Sequence, residues 1–254
     1  MHSELIEVVN DAAYLAEEEP EAFALIRRQG LGASDSSIIL GVNNWTTVEQ
    51  LIEQKNTRTI TPEEIEIGNK PNVRMGRDCE EIILKKFIKW SGLPAEKPAA
   101  MYRLKDFPML TVNYDGLTVE STNVHNGEGQ FEVPVECKTV SMFADKYWDK
   151  SKAIDRPSDG KNIQYGSSRT IADHVLQQAA EYGIPPYYYT QVQQQMMGTK
   201  AKYAYMAVLF VKTWEFKVYK IYEDQFTQEA IVAKAAEVAP KCKSIPAILG
   251  IPKC

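Results

Sequence analysis

The stretch Phe131-Glu132-Val133-Pro134-Val135-Glu136-Cys137-Lys138-Thr139 constrains the chain most tightly. Strand side chains point to opposite faces of a sheet with a period of two. Phe131, Val133, Val135, Cys137 and Thr139 then line one face, suited to a core, while Glu136 and Lys138 share the other. Such a strand needs partners to pair with and a layer to cover its apolar face. Partner strands are expected at 100–104, 110–113 and 116–120 before it. Two more follow at 203–212 and 215–221, joined at Thr213-Trp214 as a hairpin. The covering layer comes from helices. Residues 4–17 read as an acidic helix, and 20–29 as a second, with Pro20 at its start and Gly30 past its end. Ser34-Asp35-Ser36 offers N-cap chemistry to a short helix that Gly41 stops. Thr46 and Glu49 have capping-box spacing ahead of Leu51 and Ile52. A strong helix spans 73–90, closed by Ser91-Gly92, and further helices are expected at 170–182, 187–199 and 223–238. Residues 56–72 read as a loop with a short helical turn, 123–129 as a polar turn, and 141–186 as the least regular part. The order fits a mixed α/β domain, a mixed sheet flanked by helices.

Composition limits what such a domain can be. With 254 residues, 44% apolar and 25% charged, the chain can bury a sizeable core and is not disordered. Its longest apolar runs, such as Ala204 to Val211, fall far short of the roughly 20 residues a membrane-spanning helix needs. Met1-His2-Ser3-Glu4 lacks the basic start and apolar run of a secretory leader, so an intracellular protein with no membrane partner is expected. Cys79, Cys137, Cys242 and Cys254 form no CxxC pair and no zinc-spaced cluster. They read as reduced thiols, two of them interior. His2, His125 and His174 are scattered and form no triad with a Ser or Cys.

Chemistry gathers elsewhere. Asp115, followed by Gly116, lies between two apolar strands, where a turn residue is commonplace. A hairpin leading from it into the Glu136-x-Lys138 strand, however, brings two carboxylates and an ammonium to one strand end. Two carboxylates suit a hard cation such as Mg²⁺ or Mn²⁺, which keeps its other positions for water and phosphate oxygens. A lysine beside metal-bound water can orient it or stabilise developing negative charge. In the 73–90 helix, Glu80 shares a face with Ile83, Leu84 and Phe87, whereas Glu81 pairs with Lys85 four residues on. An acid on a core-facing side needs a partner, a proton or a metal, unless it sits at the edge of that face and reaches water. In the 187–199 helix, Gln191, Gln195 and Gly198 form one stripe. It suits either an amphipathic helix beside a polar cleft or a surface helix with a Met-lined inner face.

These segments in this order resemble the YqaJ-type viral recombinases, the group that includes phage lambda exonuclease, within the PD-(D/E)XK nuclease superfamily. The resemblance begins at Arg27-Arg28-Gln29-Gly30-Leu31-Gly32-Ala33-Ser34-Asp35 and continues through Ile39-Leu40-Gly41 and Gly76-x3-Glu80. It then takes in Asp115-Gly116, Glu136-Cys137-Lys138 and Gln191-Val192-Gln193, and ends in the strand pair 204–221. It covers about residues 20–222. It implies a restriction-endonuclease-like core with a central mixed sheet, in a single nuclease domain over 1–254. That domain would carry an N-terminal acidic helix (1–19), a family-variable insertion (150–185) and a C-terminal helix and tail (223–254). It further implies that Asp115 and Glu136 ligate one or two Mg²⁺ or Mn²⁺ ions per subunit, with Glu80 completing the acidic site directly or through metal-bound water. Lys138 would position the attacking water, and Gln191 would sit beside the cluster. Arg27 and Ser34 match positions that hold a DNA phosphate near the terminal nucleotide, two groups suited to that task. Arg27, rather than Arg28, keeps the family's seven-residue spacing to the serine. Just before the Asp the family often has Ser/Thr-Pro; this chain has Asn113-Tyr114, and Asn113 is the substitute phosphate contact.

The implied activity is that of a metal-dependent DNA exonuclease of phage or prophage recombination. It would resect linear duplex ends 5′ to 3′ and leave 3′ single strands for an annealing protein. The implied state is a homo-oligomer, a toroidal trimer, in the cytoplasm of a bacterial or phage-infected cell. The alternatives are a structure-specific or repair endonuclease of the same superfamily, and a catalytically silent DNA-binding protein that keeps the fold. The intact Asp115, Glu136 and Lys138 set favours an enzyme. A net charge of −5 speaks against a general polyanion binder. Seven acidic residues and no Lys or Arg lie between Glu4 and Glu21, so the total does not exclude DNA. DNA contacts are expected to be local, aided by metal and steeply weakened by salt.

Overall fold

The computed structural model of the chain describes residues 6–11, 19–57, 59–124, 127–163 and 170–245. In chain order these form β1 (Ile6–Asp11), α1 (Pro20–Arg27), β2 (Leu31–Gly32), a 3-10 turn (Ala33–Asp35), α2 (Ser36–Ile39), α3 (Val48–Asn56), α4 (Pro62–Asn69) and α5 (Pro71–Ser91). Then come β3 (Ala95–Glu96), β4 (Ala100–Leu104), β5 (Leu110–Val112), β6 (Gly116–Val124) and β7 (Gly127–Val140). After 3-10 turns at Asp145–Tyr147 and Lys150–Lys152 follow α6 (Ile171–Tyr182), α7 (Pro186–Thr199), β8 (Tyr203–Phe210), β9 (Glu215–Tyr222), α8 (Gln225–Val238) and a closing 3-10 turn (Ala239–Lys241).

The mixed α/β architecture stands, but the strands divide into two sheets rather than one central sheet. One has the order β1-β4-β5-β2, the other β3-β6-β7-β8-β9. Each is mixed: β2 runs parallel to β5 and β7 parallel to β8, while the other neighbours are antiparallel. β5 ends at Val112, and Asn113–Asp115 carry the chain across to the start of β6. The step between the sheets therefore falls on the Asp-Gly pair.

Other local expectations shift. Where an acidic helix is expected at 4–17, Ile6–Asp11 is a strand paired antiparallel with β4; the rest of that span lies outside the described residues. Ile6, Val8 and Val9 are β-branched, and antiparallel pairing with β4 rewards that propensity over a helix. The capping box of α3 sits one residue later than expected: Thr47 Oγ1 accepts from the Gln50 N–H, and Gln50 Oε1 from the Thr47 N–H. Pro62–Asn69 is a helix rather than a loop with a turn, because Thr61 and Glu64 form the same box. The polar turn expected at 123–129 is mostly strand, with β6 reaching Val124 and β7 starting at Gly127; residues 125–126 lie outside the described residues.

The five-stranded sheet is buried on both faces. On one, Cys79, Ile83, Leu84 and Phe87 of α5 pack on Val133, Val135 and Cys137 of β7 and on Tyr205, Ala207 and Leu209 of β8. Burying side chains such as Phe87 and Ile83 contributes roughly 1.5–3 kcal/mol each. On the other face, Met206, Val208, Tyr219 and Ile221 pack under α6, α7 and α8 through Val175, Val192, Met196 and Ile231. The Glu136 and Lys138 side of β7 is thus not a wet face: α7 covers it. That helix is buried almost all round, and Gln193, Gln194 and Gln195 are interior. Gln194 Nε2 donates to Leu31 O and Thr111 O at 2.9 Å each, and Gln193 Nε2 donates to Tyr222 O. Cys79, Cys137 and Cys242 are free and buried, and Cys254 lies outside the described residues. Among the described residues, no helix is long and apolar enough to cross a membrane.

Candidate active site

The β6–β7 hairpin builds the centre of the site. Its register pairs Gly116 with Val135, so one step further along Asp115 and Glu136 lie side by side. Asp115 Oδ2 accepts from the Cys137 N–H at 2.9 Å, which fixes its carboxylate to the neighbouring strand. Gly116 lets α5 come close: a Cβ there would stand 2.6 Å from Leu84 Cδ1. Removal from water, then the charge of Glu136, pushes the Asp115 carboxyl well above the ordinary range, against the pull of Lys138.

Glu136 is 1% exposed and is held by three donors. Lys138 Nζ pairs with its Oε1, Gln191 Nε2 donates to the same oxygen at 2.6 Å, and Gln195 Nε2 donates to Oε2 at 2.6 Å. Gln195 also donates to Asn113 O at 3.0 Å and, through its backbone carbonyl, accepts from the Tyr114 hydroxyl. Burial works against the Lys138 ammonium, but Glu136 and Asp115 outweigh it and hold that group charged above its ordinary range. The ring of Tyr188 lies 4.6 Å from Lys138 Nζ.

The third acid stands apart. Glu80 Oε2 accepts from Lys97 Nζ at 2.7 Å. Among the described residues, no three Asp, Glu, His or Cys side chains are grouped to hold a metal ion. Glu80 still bears electrostatically on Asp115, so the acids share one field without sharing one ligand shell.

The donor set nevertheless fits a hard divalent cation. Asp115 and Glu136 supply carboxylate oxygens that repel each other. A carboxylate offers about four lone-pair directions, and the three donors on Glu136 leave one, on Oε2. Asn113 Oδ1 and Gln195 Oε1 are buried acceptors without a hydrogen-bond partner among the described residues. An oxygen-rich, amide-backed pair of this kind is the chemistry Mg²⁺ and Mn²⁺ accept.

The phosphate-binding candidates flank this centre. Arg27, at the end of α1, donates to Ser34 Oγ in the following 3-10 turn at 3.2 Å. Its neighbour Arg28 is committed to the fold, donating to Thr57 O and Thr59 O and forking onto Glu64 at 2.6 and 2.7 Å. Lys55 fastens the segment between: its Nζ donates to Arg27 O and Gly30 O and pairs with Asp35. All eight residues singled out from the sequence, Arg27, Ser34, Glu80, Asn113, Asp115, Glu136, Lys138 and Gln191, line one cleft of about 840 Å³. Arg74, Arg77 and Lys97 line it too and carry no motif that announces them. Gln195 was legible only as a fellow of the Gln191 stripe, and Lys55 not at all.

Three comparisons bear on this arrangement. The chain is similar to LHK-Exo, an alkaline exonuclease from Laribacter hongkongensis. Against its crystal structure with dAMP the TM-score is 0.53 at 12% identity, covering 90% of this chain and 97% of that one. A second LHK-Exo structure gives the same score over 88% and 95%. At that identity the likeness speaks for the fold. The uncharacterized protein YqaJ of Bacillus subtilis (strain 168) is 29% identical over 123 residues, 48% of this chain and 34% of that protein. This chain thus spans about a third of the length of that curated relative. The family model for the YqaJ-like viral recombinase domain matches residues 22–202, a span that runs from α1 to the end of α7 and contains all eight of these cleft residues. With the fold, the order of the segments and most of the chain in agreement, this chain belongs to the YqaJ-like viral recombinase domain family.

Proposed function

We propose that the chain is a metal-dependent deoxyribonuclease that resects the ends of linear duplex DNA 5′ to 3′ and leaves 3′ single strands for recombination. The observation that carries this reading is the meeting of Asp115, Glu136 and Lys138 in the same cleft as the Arg27–Ser34 pair. Asp115 and Glu136 would hold one or two Mg²⁺ or Mn²⁺ ions, with Glu80 contributing through water, and the metal would supply water activation and charge stabilisation on the phosphate. Gln191 and Gln195 keep the Glu136 carboxylate facing the cleft. Lys138, held charged, works as a donor: it orients the attacking water and offsets negative charge on the phosphorane-like transition state, and it does not take a proton. Arg27 and Ser34 fix a terminal phosphate, and Asn113 offers an amide beside it. Homo-oligomerisation as a toroidal trimer, an annealing partner and a cytoplasmic setting belong to the same reading.

The test is digestion of linear duplex DNA labelled at either the 5′ or the 3′ end, with closed circular DNA alongside. The expected result is Mg²⁺-dependent release of the 5′ label first, an intact circle, and at least a hundredfold loss of rate in Asp115→Ala and Lys138→Ala. Activity surviving in both variants sinks the site; cutting of the circle replaces an exonuclease with an endonuclease.

A further inference from the structure

A largely exposed tryptophan stands on the loop between α2 and α3. Trp45 is 68% exposed, yet its loop is fastened. Asn43 Oδ1 accepts from the N–H groups of Trp45 (2.9 Å) and Thr46 (3.0 Å), and Asn43 Nδ2 donates to Ser37 Oγ at 3.0 Å. Ser37 in turn donates to the carbonyl of Ser34, so the loop is tied to the segment that carries the phosphate-binding serine. An indole held in water by a preformed loop loses little freedom on binding, which is how a contact surface gains affinity.

That indole is also the outer end of an aromatic series that reaches the site. Trp45 meets Tyr187 edge-on with ring centroids 4.8 Å apart, and Tyr187 meets Tyr188 at 4.4 Å. The Tyr188 ring faces Lys138 Nζ. Tyr147, 59% exposed, stands within electrostatic reach of Tyr187. A matching ligand must present a flat apolar face outward and a negative group toward Lys138. An unpaired nucleotide does both, because its base stacks on aromatic rings while its phosphate meets the cation. Duplex DNA keeps its base faces inside its own stack, and a second copy of this chain has no comparable pairing of a planar ring with a phosphate.

We propose that the exposed face of Trp45, buttressed edge-on by Tyr187, is a stacking platform for an unpaired base of the DNA strand whose phosphates lie in the cleft. The proposal rests on the nuclease reading and adds a binding preference to it: single-stranded or frayed ends are held more tightly than the blunt duplex surface alone allows.

The test is fluorescence anisotropy of a labelled 12-nucleotide oligothymidylate and of a blunt hairpin duplex, both in EDTA so that no hydrolysis occurs. Wild type, Trp45→Ala, Trp45→Phe and Tyr187→Ala are compared at several salt concentrations, with their oligomeric state checked by sizing. The expected result is about a tenfold loss of oligothymidylate affinity in Trp45→Ala and Tyr187→Ala, recovery of most of it in Trp45→Phe, and little change for the hairpin. The salt slope should stay as in wild type, since no phosphate contact is removed. Oligothymidylate affinity within twofold of wild type in Trp45→Ala overturns the platform, while the nuclease reading survives if the hairpin still binds. Altered oligomeric state with unchanged affinity also overturns it and makes the patch an interface between copies. Wild type that binds neither DNA sinks both readings.

Discussion

Glu136 shows how much of the site rests on single side chains. Its carboxylate is interior, and the two amides that hold it come from residues 55 and 59 positions later. Gln191 shows only one bond to it, whereas Gln195 also donates to Asn113 O on the strand-to-strand step. Gln195→Ala therefore leaves two buried acceptors without their donor. A loss of about 1–3 kcal/mol of stability is expected, with activity or apparent Mg²⁺ affinity reduced roughly 10- to 100-fold. Denaturant unfolding together with a Mg²⁺ titration of activity checks both, and an unchanged Mg²⁺ requirement would remove Gln195 from the machinery. At this scale the residues that belong to a motif are ones the fold brings into one cleft. Asp115, Glu136 and Lys138 share a hairpin whose register follows from two strands and an Asp-Gly pair. Lys55 comes from α3, Arg74 and Arg77 from α5 and Lys97 from the segment after β3, and no motif marks a cation such as Lys55, whose role depends on where distant backbone carbonyls fall.

Two packing contacts between elements invite measurement. Gly116 admits α5 against the hairpin, and Gly116→Ala would drive a methyl into Leu84 Cδ1 while Val135 Cβ stands at 3.4 Å. A cost of about 1–2 kcal/mol is expected, with lower activity because Asp115 is its neighbour. In a Leu84→Ala background the added cost should shrink, a non-additivity that a double-mutant cycle reads directly. The second contact is the fork of Arg28 onto Glu64, which lashes α1 to α4. Burial pushes the Glu64 carboxyl up, but Arg28, the Thr61 N–H and the Gln54 amide outweigh it and hold it at about 2, against an ordinary 4.5. A folded value below the unfolded one means the contribution is complete above pH 4.5 and is lost as pH falls toward 2. Allowing for solvent screening at this partly exposed carboxylate, it amounts to about 1–2 kcal/mol. Glu64→Gln should lower stability at neutral pH and flatten its acid dependence over that window, as followed by denaturant unfolding at stepped pH. Most elements were legible because caps and apolar periods are local signals. β1 was not, since an acidic stretch with β-branched residues becomes a strand only when β4 is there to pair with it. Nor was the split into two sheets, which depends on the turn at 113–115 redirecting the chain.

For the molecule as a whole, net charge is a poor guide to the cleft. Arg27, Arg74, Arg77, Lys97 and Lys138 line it together with Asp78, Glu80, Asp115 and Glu136, so its walls are nearly balanced. With at most five cations available, and Lys97 and Lys138 already paired, the logarithm of DNA affinity in EDTA should fall against that of salt with a slope of about −2.7 to −4.5. A steeper slope, read from binding at 50 to 300 mM salt, would place extra phosphate contacts outside the cleft or on neighbouring subunits.

The same helix that anchors Glu136 also anchors the side of the cleft that carries Arg27 and Ser34: Gln194 of α7 donates to Leu31 O and Thr111 O and accepts from Ser36 Oγ. One turn of one helix thus holds both sides of the cleft. On the proposed reading it works as a ruler. The terminal phosphate is gripped at one mark and the bond is cut at another, and the interval between them cannot drift while α7 stays docked. The product should then be of one length at every step, whatever the base sequence, because the measuring is done by the protein and not by the DNA.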